Sequence, residues 1–258
     1  MRPVRIVAVV QQRMQSTRLP YKAMLPLAGK PMTQHILERL KRVPSIHEVV
    51  LAVPEEKDTK MLLGVAEAVG VPAFIARGML DNDLIGRHIL VAQKFEADLI
   101  VRVPGDNPCS ELSEVERIIE TAQTRVLGWK QLFSNIQPIH NNRYPDGIGA
   151  EVYHLRFMQW LNENIHEPAY REHPHLWAHD HKLVWTVVAP RPIQRPGLRL
   201  DINTQDDYEF LVEIFDALYP KNPYFGIRDI LEYLDAKQIK QQTQRENDLA
   251  QRSIPAGE

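Results

Sequence analysis

The sequence predicts an α/β fold: a mainly parallel, twisted sheet with helices on both faces. Three observations lead there. Short apolar runs, Val4 to Val10, Glu48 to Val53, Ala73 to Ala76 and Asp98 to Val103, lack the clean polar alternation of a half-solvated strand. Between them lie stretches with helical spacing, Met32, Ile36, Leu40 and Val43 after Pro31, and Ile85, Ile89, Ala92 and Phe95 further on. Strand followed by helix, repeated, favours parallel pairing, and ligands of such sheets sit in the loops at the carboxyl ends of the strands.

The first of those loops, Gln11 to Pro31, is polar and basic and ends where an amphipathic helix begins. Ser16, Thr17, Arg18, Lys22 and Lys30 fall within it, and Gly29 lets the backbone turn closely before Pro31 opens the helix. Apolar strand, donor-rich loop and helix start together make an anion site. The pattern is not a Walker loop, since Gly29-Lys30 runs into Pro31 and no glycine stands five residues before it; nor is it Gly-x-Gly-x-x-Gly. Solvated surface does not need Ser-Thr-Arg-Leu-Pro-x-Lys in that order, and a triphosphate fits the chemistry.

Beyond residue 124 the periodic signals thin. Ala150 to His154 and Leu183 to Ala189 read as strands, the second burying Trp185 on one face. Thr204 to Leu218 reads as a helix capped by Thr204, with Tyr208, Leu211, Phe215 and Leu218 on one side. Gly226 to Ala236 reads as the last helix. Residues 237–258 are nearly devoid of large apolar side chains, which predicts a frayed or flexible tail unless it packs on a partner. One domain over 1–236 is the expectation, since 258 residues at 44% hydrophobic can bury one sizeable core.

A net charge of -2 is no footprint for nucleic acid. The single cysteine, Cys109, cannot form an intrachain disulfide, and no N-terminal apolar stretch approaches the roughly 20 residues of a membrane span. Val4 to Val10 is too short for a signal-peptide core, so a cytoplasmic enzyme without membrane insertion is expected.

Asp106 follows the apolar run Leu99 to Val103 through Pro104 and Gly105, so a strand end delivers it to the ligand face. Gly-Asp-Asn-Pro equally allows a turn aspartate bonding its own backbone, and Tyr144-Pro145-Asp146-Gly147 is a strong turn signal in any protein. Arg171 can hold a carboxylate or phosphate in a bidentate pair, or join a neighbouring helix. His173, His175, His179 and His181 cluster in sequence, but no cysteine lies among them and zinc is not the expectation. Cys109 lacks the surroundings of a nucleophile.

The loop QQRMQSTRLPYKAMLPLAGKPM resembles the N-terminal signature of the cytidylyltransferases that activate acidic sugars, the CMP-Kdo and CMP-sialic acid synthetases. It is most similar to their relatives named spore coat polysaccharide biosynthesis protein F. Five further blocks follow in order: RGMLDNDLIGRH at 77–88, ADLIVRVPGDNP at 97–108, YPDGIGAEVY at 144–153, REHP at 171–174 and LRLDINTQDDYEFL at 198–211. The resemblance thus covers roughly residues 4–215.

It implies a nucleotide-diphospho-sugar transferase-like sheet and transfer of CMP from CTP to a sugar or sugar phosphate, with release of pyrophosphate, in surface polysaccharide or glycoconjugate precursor synthesis. Catalytic roles fall to Arg18, Lys22 and Asp106. Nucleotide contacts fall to Gln11, Gln12, Arg13, Ser16, Arg18, Lys22, Lys30, Arg102, Pro104 and Gly105. Substrate contacts fall to Tyr144, Asp146, Gly147, Glu151, Arg171, Glu172 and His173. The resemblance also implies Mg2+ (or Mn2+) on Asp106, Asp201 and Asn203, and a homodimer with 124–180 as a substrate or dimerisation arm. The chain departs from the family at Asn203, where aspartate is usual; an amide oxygen can still serve but brings no charge. That departure motivates an alternative, a catalytically weakened descendant that binds nucleotide or a partner. A metal-dependent glycosyltransferase using Asp-x-Asn shares the sheet but does not explain Ser16 to Lys22.

Overall fold

Alternate residues of the first strand, β1 (Ile6–Gln11), face opposite sides of the sheet, and both sides are apolar. A computed structural model describes residues 2–79, 83–125, 128–136 and 142–252. Parts of the predicted arm (126–127 and 137–141), three residues of the 77–88 block (80–82) and the end of the tail (253–258) lie outside the described residues.

After β1 the chain forms a 3-10 turn, Lys22–Met24, and a small ribbon, β2 (Pro26–Leu27) with β3 (Lys30–Pro31), before α1 (Met32–Leu40). Ala28 and Gly29 both have positive φ, +45° and +80°, the geometry of a two-residue hairpin loop. Then follow β4 (Glu48–Pro54), α2 (Thr59–Val69), β5 (Ala73–Ala76), α3 (Leu84–Lys94), β6 (Leu99–Val103) and α4 (Leu112–Thr124). The less regular half holds β7 (Leu132–Ser134), β8 (Glu151–His154), α5 (Leu155–Asn164), α6 (Pro168–Glu172), α7 (Pro174–Asp180), β9 (Val184–Thr186), α8 (Gln205–Leu218) and α9 (Ile227–Arg252).

The seven-stranded sheet has the order β5-β4-β1-β6-β8-β7-β9. β5, β4, β1 and β6 run parallel; β8 is antiparallel to both β6 and β7, and β9 is parallel to β7. Ile6, Ala8 and Val10 pack with α1, α2 and α4 through Ile36, Leu62 and Ile118. Val7 and Val9 pack with α3, α5 and α7 through Ile85, Phe157 and Trp177. A third cluster joins α8 and α9 to Leu27, Tyr144 and Leu200. The predicted fold class, sheet and covering helices are as found.

Three elements differ from the sequence reading. β9 is shorter than the Leu183 to Ala189 run, and Trp185 is only partly buried against the first core cluster. β7 has three residues, too few for a period to show. α9 runs on to Arg252 rather than stopping at Ala236, because no glycine or proline interrupts the chain before Pro255 and Lys, Gln, Glu and Arg are good helix formers.

Candidate functional site

A cavity of about 340 Å³ opens where β1 and β6 end. Gln11, Gln12 and Arg13 leave β1 along one wall, and Val103, Pro104, Gly105 and Asp106 leave β6 along another. The two exits touch: a Cβ on Gly105 would sit 2.1 Å from the Gln11 carbonyl oxygen, which only glycine avoids. Gln12 is buried and its amide donates to the Gly105 carbonyl and, at 2.9 Å, to Thr33 Oγ1 on α1. Gln11 lies 3.2 Å from Nδ1 of the buried His88.

Ser16, Thr17, Arg18 and Lys22 line the same cavity from the basic loop. That loop is tied down from the segment after β4. Glu56 accepts from the Met14 backbone N–H at 2.5 Å, and the Tyr21 hydroxyl donates to Asp58 at 2.8 Å. Tyr21 takes a left-handed φ of +59° as the chain turns into the 3-10 segment carrying Lys22.

Lys22 meets the far end of the polypeptide. Its ammonium donates to Asp106 Oδ2 at 2.9 Å, to the Ile202 carbonyl at 2.8 Å and to Asn203 Oδ1 at 3.4 Å. Arg18 donates to the same Asn203 oxygen at 2.6 Å. The Ile202 N–H donates to the Asp106 carbonyl at 2.9 Å, locking the two acidic segments together. Asn203 is fixed from behind by the α8 N-terminus, a capping box in which Asp207 accepts from the Asn203 and Thr204 N–H groups at 3.0 and 2.8 Å.

A second cavity, about 390 Å³, adjoins the first and shares Arg102, Pro104, His173 and Asn203 with it. Its floor is a buried ion pair, Arg102 to Glu151 at 2.9 Å, with the Tyr153 hydroxyl donating to the same carboxylate at 2.9 Å. Burial pulls the Arg102 guanidinium down, but Glu151 more than reverses this; burial likewise pushes the Glu151 carboxyl up, and Arg102 and His175 hold it below its usual range. Asp146 and Asp201 add acid, Asp201 being paired with Arg199 at 2.9 Å. Burial, and then the Asp201 charge, push Asp146 up to about 6. The turn at Asp146 rests directly on the acidic segment, since a Cβ on Gly147 would lie 2.4 Å from the Leu200 carbonyl carbon.

Gln11, Gln12, Arg13, Ser16, Arg18, Lys22, Arg102, Pro104, Gly105, Asp106, Glu172, His173 and Asn203 therefore gather on the first cavity, and Asp146, Glu151 and Asp201 on the second. Gly147 backs the Leu200–Asp201 backbone without lining either cavity. Three other residues do not join them. Lys30, carried off on β3, pairs with Glu38 of α1 at 2.9 Å. Arg171 grips Asp83 through contacts of 2.7 and 2.8 Å and Asn162 at 2.8 Å, fastening α6 to α3 and α5. Tyr144 is fully buried, its hydroxyl bonded to Glu114 and Arg117.

Leu84 and Arg87 at the start of α3, together with Arg199, line the two cavities without having been singled out in the sequence, and His175, weighed there only for zinc, lines the second. Arg87 lies within the 77–88 block, which was the available signal. Among the described residues no group of three or more His, Cys, Asp or Glu side chains could hold a metal, and His181 instead stacks on Trp177 at 3.9 Å. Cys109 is buried, which pushes its thiol up to about 12 and leaves it unreactive. The Asp106 carboxylate, Ile202 carbonyl and Asn203 amide oxygen already surround one cation, the Lys22 ammonium. An all-oxygen set of this kind suits Mg2+ or Mn2+ once phosphate oxygens and water complete it.

A cation-bearing loop at the carboxyl edge of a parallel sheet, facing acids across a divided cavity, defines a nucleotide-dependent transferase of the α/β class. The family described as Cytidylyltransferase matches residues 7–248, and the chain belongs to it, a family of CTP-dependent nucleotidyltransferases. The solved cytidylyltransferase of Leptospira borgpetersenii serovar Hardjo-bovis superposes with a TM-score of 0.82 at 25% identity, over 92% of this chain and 96% of that one. The spore coat polysaccharide biosynthesis protein SpsF of Bacillus subtilis is 25% identical over 224 residues, 84% of this chain and 87% of that protein. The 3-deoxy-manno-octulosonate cytidylyltransferase of Geobacter sulfurreducens is 32% identical over 146 residues, which span only 56% of that enzyme. No helix among the described residues is long and apolar enough to cross a membrane.

Proposed function

We propose that this enzyme transfers CMP from CTP to a hydroxyl of a sugar or sugar phosphate, releasing pyrophosphate, in the synthesis of a surface polysaccharide or glycoconjugate precursor. The observation that carries the reading is the pair of cavities divided by Arg102, Pro104, His173 and Asn203. One cavity has the cations for a triphosphate and the other has room for an acceptor, so an acceptor oxygen in the second faces an α-phosphate lodged at the divide.

In this reading Gln11, Gln12 and Arg13 meet the nucleoside as β1 ends. Ser16, Arg18 and Lys22 take the β and γ phosphates, where charge accumulates as pyrophosphate departs. Little covalent chemistry is asked of the protein; it holds two reactants in line and offsets negative charge. Asp106, Asp201 and Asn203 would hold a divalent cation, Mg2+ or Mn2+, which supplies further charge neutralisation at the phosphates when bound. Asp146, Glu151 and His173 surround the acceptor, and Glu172 approaches it from the first cavity. Asn203 turns its amide oxygen towards Lys22 and Arg18, which supports a working site over a weakened descendant.

We further assign the enzyme to the cytoplasm as a homodimer; the exposed Trp129 and Val188, both in the irregular half, support the association, and light scattering of the pure chain tests it. The activity is tested by incubating the enzyme with Mg2+, each of CTP, UTP, ATP and GTP, and a panel of acidic sugars, neutral sugars and sugar phosphates, while following pyrophosphate. Release with CTP and one acceptor class is expected. Tight CTP binding with no release from any acceptor would instead leave a nucleotide-binding descendant.

A further inference from the structure

The ammonium of Lys22 is held by oxygens alone: one carboxylate oxygen of Asp106, the carbonyl of Ile202 and the amide oxygen of Asn203, at 2.9, 2.8 and 3.4 Å. Two of these three residues are the ones the proposed function gives to a divalent cation. Such an ion needs these oxygens at roughly 2.0–2.2 Å, closer in than an ammonium sits, with water and phosphate filling the remaining positions. The ion and the ammonium therefore cannot share the seat. Lys22 is well covered, its side chain 15% exposed against 27% for Asp106. Arg18 lies nearby but touches only Asn203 within this set.

We propose that Lys22 occupies the metal seat while the nucleotide site is empty, so that the divalent cation enters together with the nucleotide. The incoming triphosphate offers the ammonium several charged oxygens in exchange for one carboxylate, draws it off Asp106 and brings the metal with it. The consequence is an ordered enzyme: free metal binds poorly to the resting protein, and the seat forms at the moment phosphate oxygens arrive to complete it. This inference rests on the reading of the site as a metal-dependent CTP site, but its test is separate from turnover.

Mn2+ binding to the full chain without nucleotide is measured by the loss of the free Mn2+ electron paramagnetic resonance signal, for wild type, Lys22→Met, Lys22→Gln and Arg18→Met. The two Lys22 variants should bind Mn2+ at least tenfold more tightly than wild type, and a further Asp106→Asn change should abolish the gain. Arg18→Met removes an equal charge but leaves the seat filled, and should stay within about threefold of wild type. Equal Mn2+ affinity in wild type and in whichever Lys22 variant is folded by circular dichroism would overturn the proposal, as would an equal gain in Arg18→Met. Pyrophosphate release by the wild type is scored independently, so failure of the catalytic reading leaves a visible Lys22 effect on Mn2+ intact.

Discussion

Glu151 offers the sharpest test of how the floor between the two cavities is held. It projects from β8 opposite Arg102 of β6, the two residues being register partners in the antiparallel pair. The side chains are 2% and 13% exposed and 2.9 Å apart, so neither charge has water to fall back on. At an effective dielectric near 20 the gross attraction is about 6 kcal/mol, much of it offset by the cost of drying both groups. Glu151→Gln keeps the shape and an oxygen for Arg102 but strands the guanidinium, and breaking a buried pair in this way costs about 3–5 kcal/mol. Urea unfolding followed by tryptophan fluorescence should show the loss as a lower midpoint with an unchanged slope. The double variant Arg102→Met with Glu151→Met replaces the pair by apolar groups and should recover most of the stability, within about 2 kcal/mol of wild type, while losing activity. A Glu151→Gln protein within about 1 kcal/mol of wild type, or a double variant as unstable as the single, would refute the argument.

Gly105→Ala should cost about 1–3 kcal/mol and most of the nucleotide affinity, because the added methyl would stand 2.1 Å from the Gln11 carbonyl and drive the β1 and β6 exits apart; thermal shift with and without CTP separates the two effects. Lys30→Met should leave pyrophosphate release within about twofold of wild type, since its charge is spent on Glu38, whereas Arg18→Met should lower it at least tenfold. His35 and His88 are buried, and burial lowers both to about 4 from 6.5. The stability they contribute is full above pH 6.5 and is lost as pH falls towards 4, each losing about 2 kcal/mol by pH 5. Urea midpoints at pH 8 and 5 measure this, and His35→Gln should flatten the dependence.

What was legible in the sequence is what repeats or lies close by. β1, β4, β5 and β6 show as apolar runs because both faces of the parallel sheet are covered, and α1 and α3 show by their period. Asp106 could be placed because a strand end carries it. Lys30 could not, because nearness along the chain suggested a shared loop, whereas the two-residue turn at Ala28-Gly29 sends it back along α1 to Glu38. Arg171 has its partner 88 residues away at Asp83, and no local pattern encodes such a pairing. The same holds for Lys22, whose contact with Ile202 spans 180 residues. β7, α6 and α7 went unread because their apolar positions answer to a three-residue strand and to short, proline-started helices, not to a sustained period.

Four cations of the site already have an anionic or amide partner within the chain. Lys22 sits on Asp106, Arg18 on Asn203, Arg102 on Glu151 and Arg199 on Asp201. These pairings explain how so many charges converge without forcing the loop out into solvent, since like charges brought together without counter-charges repel. A polyphosphate bound as proposed would therefore meet Lys22 and Arg18 by exchange of partners. The pairs differ in what exchange would cost. Arg102 and Glu151 are buried and serve as a fixed wall, while Arg199 is 55% exposed and can release Asp201 at little expense. Nucleotide binding should accordingly disturb the Lys22, Arg18 and Arg199 pairs and leave the Arg102 pair intact. If CTP affinity fell in Arg199→Met as steeply as in Lys22→Met, with Arg102 still paired, the exchange would reach the acceptor side as well as the triphosphate side.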